Sequence, residues 1–313
     1  MPEHDECEFC MSSKRMRTSY RSNSNNNNNL VTVSRHYYDK CPPRLLQLMD
    51  IPHFTYKMQL AYAWNPLDSS INIDVKLIDP LTLHRHPVAQ STDSIRGKIG
   101  FNRGFHMWRI DWKLRERGTH AVVGVCTKDA PLHCHGYCSL IGLTEESWGW
   151  DIIRKKLVHK QSVDVEDQTY PVIIAEDICS LGDAIERPNT NIEVQESIFV
   201  LLDMEEGTLS FINDGQYLGV AFSGLKGRTL YPAISAVWGH CEVTMAHLAS
   251  LNPLPLPLLH LCRFYIRKHL RINVARNFLQ MDDAVNYDLS MKIDQLNIPE
   301  YLKMYLKNGS FQR

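Results

Sequence analysis

The sequence predicts a mainly β protein in which an antiparallel β-sandwich is followed by a small α-helical segment. Between residues 36 and 250 there are many short apolar runs and turn signals, and no long helical pattern separates them. Residues 252–257 then contain three prolines, which indicates a domain boundary. Beyond this boundary the apolar residues recur with the spacing of an amphipathic helix.

The strands of the predicted sandwich follow one another through short turns. We predict them at residues 120–126, 198–203, 208–212, 216–222, 230–237 and 241–248. Asn213-Asp214-Gly215 is a strong tight-turn signal, and it predicts a hairpin between the third and fourth of these strands. We expect a short helix at residues 44–49 ahead of the sandwich and a long surface loop at residues 180–195.

The segment that begins at Pro257 predicts an amphipathic helix. Its apolar residues lie on one helical face, and they are Leu258, Leu261, Cys262, Tyr265 and Ile266. Proline suits the first turn of a helix, where a missing N–H costs nothing, and the basic residues 267–269 suit its C-terminal end. The spacing alone favours a helix that packs on the protein core. Further helices are predicted at residues 274–279 and near 301–306.

The composition argues against several classes of function. The formal charge of the 313 residues is only −1, so no global electric field recruits nucleic acid or a membrane surface. No N-terminal run resembles a signal peptide, and no stretch of about 18 apolar residues could span a bilayer. The nine cysteines have no framework spacing. We therefore expect an intracellular protein with reduced thiols, in the cytoplasm and with the nucleus as a second compartment.

The sequence contains none of three common catalytic motifs. These are GxxxxGK[ST], HExxH and GxSxG, and the carboxylates form no recognisable pair. His133, Cys134, His135 and Cys138 are possible metal ligands, but adjacent side chains are too tightly spaced for a tetrahedral site. We therefore predict a protein that is not an enzyme and has no cofactor and no metal site.

Several short sequence motifs resemble parts of two known modules. The motifs that resemble a SPRY domain are Arg96-Gly97-Lys98, residues 118–124, residues 147–151, residues 202–209 and residues 224–233. Proline, leucine, cysteine and an aliphatic at residues 257, 258, 262 and 266 resemble the elongin-binding box of a SOCS box. The chain thus resembles the SPRY domain-containing SOCS box proteins, and its asparagine-rich head resembles the insect member. The polar, asparagine-rich residues 1–35 have little to bury and predict a disordered tail. The resemblance implies a SPRY domain with a short N-terminal extension at 36–250 and a SOCS box at 251–313.

The resemblance implies a bent β-sandwich that binds short peptides containing Asp-(Ile/Leu)-Asn-Asn-Asn at one end. The residues that match the family's pocket are Arg85, Pro87, Ala89, Thr119, Tyr137, Leu140, Val237, Trp238 and Gly239. A peptide of asparagines has little apolar surface, so its specificity must come from hydrogen bonds to each amide. We expect Arg85 to pair with the peptide Asp or with backbone carbonyls, and Tyr137 and Trp238 to form flat walls.

The resemblance also implies a non-catalytic adaptor of a cullin-RING ubiquitin ligase. The residues expected to bind elongin C, and with it elongin B, are Pro257, Leu258, Leu261, Cys262 and Ile266. Leu296, Ile298 and Pro299 are expected to contact cullin-5, although Asn297 stands where the family motif has its first proline. The expected target carries an Asp-Ile-Asn-Asn-Asn type motif, as a Vasa-like RNA helicase would, and we expect no direct contact with nucleic acid and none with a membrane.

A second hypothesis stays open at this point. The same β-sandwich would suit a non-catalytic peptide- or glycan-binding scaffold that acts in localisation rather than degradation, because a fold alone does not decide function. The C-terminal box separates the two hypotheses, since a lectin-like scaffold has no need of an elongin-binding helix.

Overall fold

The computed structural model describes residues 42–160, 169–171, 192–253, 255–271 and 283–309. The predictions of a disordered tail at residues 1–35 and of a helix at residues 274–279 lie outside the described residues, as does most of the loop predicted at residues 180–195.

Fourteen strands and five α-helices are found in the described part of the chain. The strands are β1 (Trp64–Ser69), β2 (Ile73–Val75), β3 (Thr82–Arg85), β4 (Ser91–Gly97), β5 (Phe105–Trp112), β6 (Ala121–Cys126), β7 (His133–His135), β8 (Ser147–Asp151), β9 (Lys156–Val158), β10 (Ser197–Asp203), β11 (Thr208–Asn213), β12 (Gln216–Phe222), β13 (Tyr231–Ala236) and β14 (Glu242–Leu251). The helices are α1 (Pro43–Met49), α2 (Tyr56–Gln59), α3 (Leu258–Arg271), α4 (Asp283–Asp294) and α5 (Glu300–Asn308).

The strands form two antiparallel sheets of seven strands each. The first sheet has the order β1-β4-β13-β6-β8-β9. Strand β1 pairs with the C-terminal half of β4, and β7 pairs with its first residues, Ser91–Asp93. The second has the order β12-β11-β10-β5-β14-β3-β2. Within it, β10, β11 and β12 form the predicted meander, with Asp203 opposite Thr208 and Asn213 opposite Gln216 at its two turns. The predicted fold class, a mainly β sandwich followed by C-terminal helices, is confirmed.

Strand β5 shows why both faces of the second sheet are buried. Its alternate residues Trp108, Ile110 and Trp112 face the core between the two sheets. Phe105 and Met107 point the other way, as the two-residue period of a strand requires. On that outer face they join an apolar cluster with side chains from α1, β14 and the start of the C-terminal segment. The outer face of this sheet is therefore the surface on which the helical segment docks.

Sequence patterns predicted six of the fourteen strands in the described part of the chain. All six predicted strands are present with ends shifted by at most a few residues. The other eight described strands, β1–β5 and β7–β9, were not predicted. Short polar segments such as His133–His135 carry no alternating apolar signal, but the apolar strand β5 was missed as well. Helix α4 was also missed, although its residues Leu289 and Ile293 are buried against α5.

Candidate functional site

One end of the first sheet gathers the loops that carry the predicted pocket residues. Strand β4 begins at Ser91, β6 begins at Ala121 and β13 ends at Ala236. The sheet register places Ala236 opposite both Asp93 and Ala121. Because neighbouring strands here are antiparallel, the loops before β4 and β6 and the loop after β13 emerge side by side. Strand β7 joins the same end by pairing with the first residues of β4.

Contacts between these loops bring the predicted pocket residues together. The backbone N–H of Gln90 donates a hydrogen bond of 3.2 Å to the hydroxyl oxygen of Tyr137. The 237–240 loop lies so close to the 86–90 loop that a Cβ atom on Gly239 would be 2.8 Å from the Cα atom of Pro87. A Cβ atom on Gly118 would be 3.3 Å from the Cβ atom of Trp238. At Gly239 a Cβ atom would collide with the backbone of Pro87, so this approach requires glycine, and at Gly118 a φ of 65° favours glycine.

The surface of this end combines two large aromatic side chains with small residues. Tyr137 is 46% exposed and Trp238 is 49% exposed, which is unusual for residues of this size. Pro87, Ala89 and Thr119 are also exposed. A pair of fixed, half-exposed aromatic rings offers flat contact area with polar edges, the usual composition of a binding hot spot.

Three of the predicted pocket residues are buried. They support the loops of the site and do not form its surface. Arg85 and Leu140 are 0% exposed, and Val237 is 8% exposed. A side chain without exposed surface cannot pair with a bound peptide in this conformation. The expected ion pair between Arg85 and a peptide Asp is therefore replaced by contacts within the protein.

The guanidinium of Arg85 is fully used in shaping the first pocket loop. Its Nε donates to Oδ2 of Asp93 at 2.8 Å. Nη1 donates to the carbonyl of His86 at 3.1 Å. Nη2 donates to the carbonyls of Val88 at 3.1 Å and of Ser91 at 2.9 Å. Arg85 thus fixes the loop that presents the exposed proline and alanine.

Asp93 is the buried anion around which this loop is organised. Burial raises the pKa of its carboxyl, but the hydrogen bonds from Ser70, His133, Ser91 and Asn72 outweigh burial and hold the pKa below its usual value. The carboxylate therefore stays charged opposite Arg85. Sequence analysis missed Asp93 because a single acidic residue within a polar strand gives no distinctive signal.

Histidines surround the edge of the same end without forming a metal centre. Nε2 of His84 lies 3.3 Å from Nδ1 of His240, and Nε2 of His86 lies 2.7 Å from a carboxylate oxygen of Asp74. Burial and the neighbouring histidines lower the pKa of His84. Within the described residues, no group of three or more His, Cys, Asp or Glu side chains is arranged to hold a metal ion.

The second candidate surface is helix α3, which exposes apolar residues and buries arginines. Leu258 is 75% exposed and Tyr265 is 59% exposed, and Ile266 and Cys262 are exposed too. The opposite side of the helix buries Arg263, Phe264 and Arg267. With 3.6 residues per turn, Cys262 and Arg267 point about 140° apart. The sequence spacing favoured an apolar face packed on the core, and the structure turns most of that face toward solvent.

Of the predicted elongin-binding residues, one packs partly inward. Leu261 is half-buried against the apolar cluster on the outer face of the second sheet. Pro257 is exposed just ahead of the helix. The exposed positions of the apolar face are therefore residues 257, 258, 262 and 266 together with Tyr265, which the motif match did not include.

A buried carboxylate holds α3 in this orientation. Asp50, immediately after α1, accepts hydrogen bonds of 2.8 Å from Nη1 of Arg263 and from Nε of Arg267. The two arginines also donate to the carbonyl oxygens of Tyr305 and Leu306 in α5. Three segments that are distant in the sequence are thus joined at one point, which no local pattern could have revealed.

The predicted cullin-binding residues lie just before α5. Leu296 and Ile298 are half-buried against an apolar cluster formed by α4 and α5. Pro299 is exposed and precedes the first turn of α5, and Asn297 is exposed beside it. Part of the apolar motif therefore supports the helical packing, and its outer edge remains accessible.

In the part of the chain that the structure describes, no helix is long and apolar enough to cross a membrane.

Comparison with known proteins identifies the two modules and the family. The SPRY domain family matches residues 105–248, and the SOCS box family matches residues 254–307. The chain is 50% identical over 266 residues to Protein gustavus of Drosophila melanogaster, and this match covers 85% of each chain. It is 48% identical over 269 residues to SPRY domain-containing SOCS box protein 1 of Homo sapiens, covering 86% of this chain and 88% of that protein. These matches confirm the predicted resemblance: the chain belongs to the SPRY domain-containing SOCS box protein family.

Proposed function

We propose that this protein is a non-catalytic substrate-recognition adaptor of a cullin-RING ubiquitin ligase. In this function the SPRY domain at residues 36–250 binds a target and the SOCS box at residues 251–313 recruits elongins B and C and cullin-5. The partners carry out ubiquitin transfer, and this chain contributes a high effective concentration of target near the enzyme. The observation that carries the proposal is the exposed apolar face of α3.

The exposed face of α3 has the properties of a helix that docks into an apolar groove. Leu258, Cys262 and Tyr265 are one and two turns apart on the solvent side, as the anchors of such a helix are. Burying one large apolar side chain contributes about 1.5–3 kcal/mol, so this face is poorly suited to water and well suited to a partner. The match to the SOCS box family supports elongin C as that partner.

A co-purification experiment tests this contact. The full chain with Leu258→Ala and Cys262→Ala, co-expressed with elongins B and C, should lose elongin recovery because both anchors are removed. The protein should stay folded, because both side chains are exposed. Lys268→Ala is the matched control, since this residue is exposed on the same helix but lies outside the apolar face. Unchanged elongin recovery by the double variant would rule out the adaptor function.

The loop end of the first sheet is the proposed target site. Tyr137 and Trp238 are exposed on loops that hydrogen bonds and close backbone contacts hold in place. A fixed site of this kind loses little entropy on binding and discriminates by hydrogen bonds left unmade. We propose an Asp-(Ile/Leu)-Asn-Asn-Asn type peptide as its ligand, presented in the cell by a protein such as a Vasa-like RNA helicase.

Calorimetry with a synthetic Asp-Ile-Asn-Asn-Asn peptide tests the ligand. The full chain should bind this peptide, and peptides in which any one asparagine is replaced by alanine should bind at least tenfold more weakly. A scrambled peptide of the same composition is the control. If the intended peptide and the scrambled peptide bind equally, the proposed ligand is wrong.

Degradation and localisation make different demands on this architecture. If the protein acts as a scaffold in the cytoplasm or nucleus, the target's position should depend on the peptide site and its abundance should not depend on the elongin-binding face. Target half-life in cells that express the Leu258→Ala, Cys262→Ala variant separates the two. A longer half-life than with the unmodified chain supports the adaptor, and an unchanged half-life supports the scaffold.

A further inference from the structure

Two cysteines meet beside the proposed peptide site. The Sγ atoms of Cys134 and Cys138 lie 2.8 Å apart, closer than the sum of two sulfur radii. Both thiols are free and partly exposed, so small reagents can reach them. Tyr137 lies between them in the sequence and directly before Cys138. The pair therefore brackets the loop that presents one of the two exposed aromatic rings of the site.

The neighbouring histidines do not complete a metal site with these sulfurs. Cys134 is the middle residue of β7, so His133 and His135 point to the opposite face of that strand. Nδ1 of His133 lies 3.1 Å from a carboxylate oxygen of the buried Asp93. The sulfurs thus face each other as a pair, which is the arrangement of a dithiol rather than of a four-ligand centre.

The backbone around the pair is already fixed on both sides. The hydroxyl of Thr92 donates to the carbonyl of Gly136 at 2.8 Å and accepts from the N–H of Cys138 at 3.1 Å. The N–H of Gly136 donates to the carbonyl of Gln90 at 2.9 Å. Gly136 itself has a φ of 83°, a conformation that suits glycine, and it reverses the chain between the two cysteines.

We propose that Cys134 and Cys138 form a reversible disulfide that locks the loop carrying Tyr137 in its binding conformation. A covalent S–S bond is about 2.05 Å long, so the two sulfurs need to approach by less than an ångström. That small movement makes the bond compatible with the existing backbone hydrogen bonds. The effect on ligand binding rests on the proposed peptide-binding function, and the formation of the bond does not.

Hydrogen peroxide is the oxidant that we name for this step. Burial raises the pKa of Cys134, and in the proposed step Cys138 attacks as the thiolate. Its sulfur attacks a peroxide oxygen, the O–O bond breaks, and hydroxide leaves and becomes water. Sγ of Cys134 then attacks the resulting sulfenic acid, loses its proton, and a second water leaves. Two thiols and one peroxide thus give one disulfide and two waters. Two molecules of a thiol such as glutathione then reduce the disulfide by exchange and leave as oxidised glutathione.

Differential alkylation on the full chain tests the bond itself. Trypsin places both cysteines on one peptide, residues 129–154, which contains no other cysteine. After peroxide treatment and N-ethylmaleimide, this peptide should carry no label, and reduction should restore two reactive thiols. Cys134→Ser and Cys138→Ser should each leave the remaining thiol open to labelling. Cys262→Ser is the matched control, because it removes another exposed thiol and should leave the 129–154 result unchanged.

Amide hydrogen exchange and peptide affinity test the consequence. Exchange at residues 133–140 should slow on oxidation of the unmodified chain and stay unchanged in Cys138→Ser. The Asp-Ile-Asn-Asn-Asn peptide should dissociate several-fold more slowly from the oxidised chain, because a locked loop is preorganised.

The possible failures are distinguishable. Full labelling of the 129–154 peptide after peroxide would overturn the disulfide. A bond that forms without any change in exchange, or that speeds peptide dissociation, would overturn the locking. If the reduced chain does not bind the peptide at all, the proposed ligand fails, and the alkylation and exchange results still decide this proposal.

Discussion

Two buried arginine–aspartate pairs differ in which parts of the chain they join. One lies at the loop end of the first sheet, and the other lies between the end of α1 and helix α3. Arg85 and Asp93 are eight positions apart, and both side chains are 0% exposed. Asp50 and Arg263 are 213 positions apart and lie almost fully buried. The first pair shapes one loop of the β-sandwich. The second joins the segment after α1 to helix α3 in the SOCS box.

The difference teaches what buried charges contribute in this protein. Removing two charges from water costs free energy that their attraction only partly returns, so neither pair is a strong source of net stability. Both pairs are directional, because a planar guanidinium with several donors accepts only one arrangement of partners. We hypothesise that the local pair sets the shape of a binding surface and the long-range pair sets the orientation of α3.

The largest expected loss of stability follows from removing Asp50, which joins α1 to α3. Asp50→Ala should leave Arg263 and Arg267 buried without their carboxylate, which typically costs about 3–5 kcal/mol. Amide hydrogen exchange of α3 in the full chain should accelerate accordingly, while peptide affinity stays unchanged. Asp294→Ala is the control, because its ion pair with Lys307 is partly exposed and should contribute less than about 1 kcal/mol. A parallel loss of peptide affinity would show that the two pairs are not independent.

The next effect is at the exposed aromatic residues that the local pair supports. Trp238→Ala and Tyr137→Ala should each weaken binding of the Asp-Ile-Asn-Asn-Asn peptide by at least about 2 kcal/mol, as hot-spot residues do. Calorimetry on the full chain measures this. Ile78→Ala is the matched control, because Ile78 is 98% exposed on the turn between β2 and β3, away from the end of β3 at Arg85. Equal losses in the control would point to a general effect on folding.

A more conservative change separates charge from geometry at the local pair. Arg85→Lys keeps a positive charge opposite Asp93 but cannot supply the separate donors to the carbonyls of Val88 and Ser91. We expect a loss of about 1–2 kcal/mol in the free energy of unfolding, because buried acceptors lose their partners. Peptide affinity should fall as well, although Arg85 itself is buried. Denaturant unfolding and calorimetry measure the two effects, and unchanged peptide affinity would contradict a loop-shaping role for Arg85.

The smallest expected effect lies in the cullin segment, which neither ion pair contacts directly. Asn297→Pro would restore the proline of the family motif at an exposed position. A proline with compatible geometry reduces the entropy lost on ordering by about 0.4–1 kcal/mol, so cullin-5 should bind several-fold more tightly. Titration of immobilised cullin-5 N-terminal domain with the purified elongin complex measures this. Equal or weaker binding by the variant would show that Asn297 does not set the affinity.

The residues around Arg85 and Asp93 were only partly predictable from the sequence. For the proposed peptide site, motif matches singled out Tyr137, Trp238 and Gly239, and the structure brings their loops together. Sequence analysis assigned Arg85 to the ligand, because an arginine beside a loop looks the same in sequence whether its guanidinium faces solvent or a buried aspartate. It did not single out Asp93, although the local pair depends on it.

The sequence by itself determined the order of the modules, six of the strands and the periodicity of α3. These depend on local propensity and on spacing along the chain, which a single sequence displays. Only the tertiary structure decided which side of α3 faces outward and which cysteines meet. Helical spacing gives an apolar face without saying whether the core or a partner covers it. Here Asp50, from the opposite end of the described chain, holds the arginine face inward and leaves the apolar face to water.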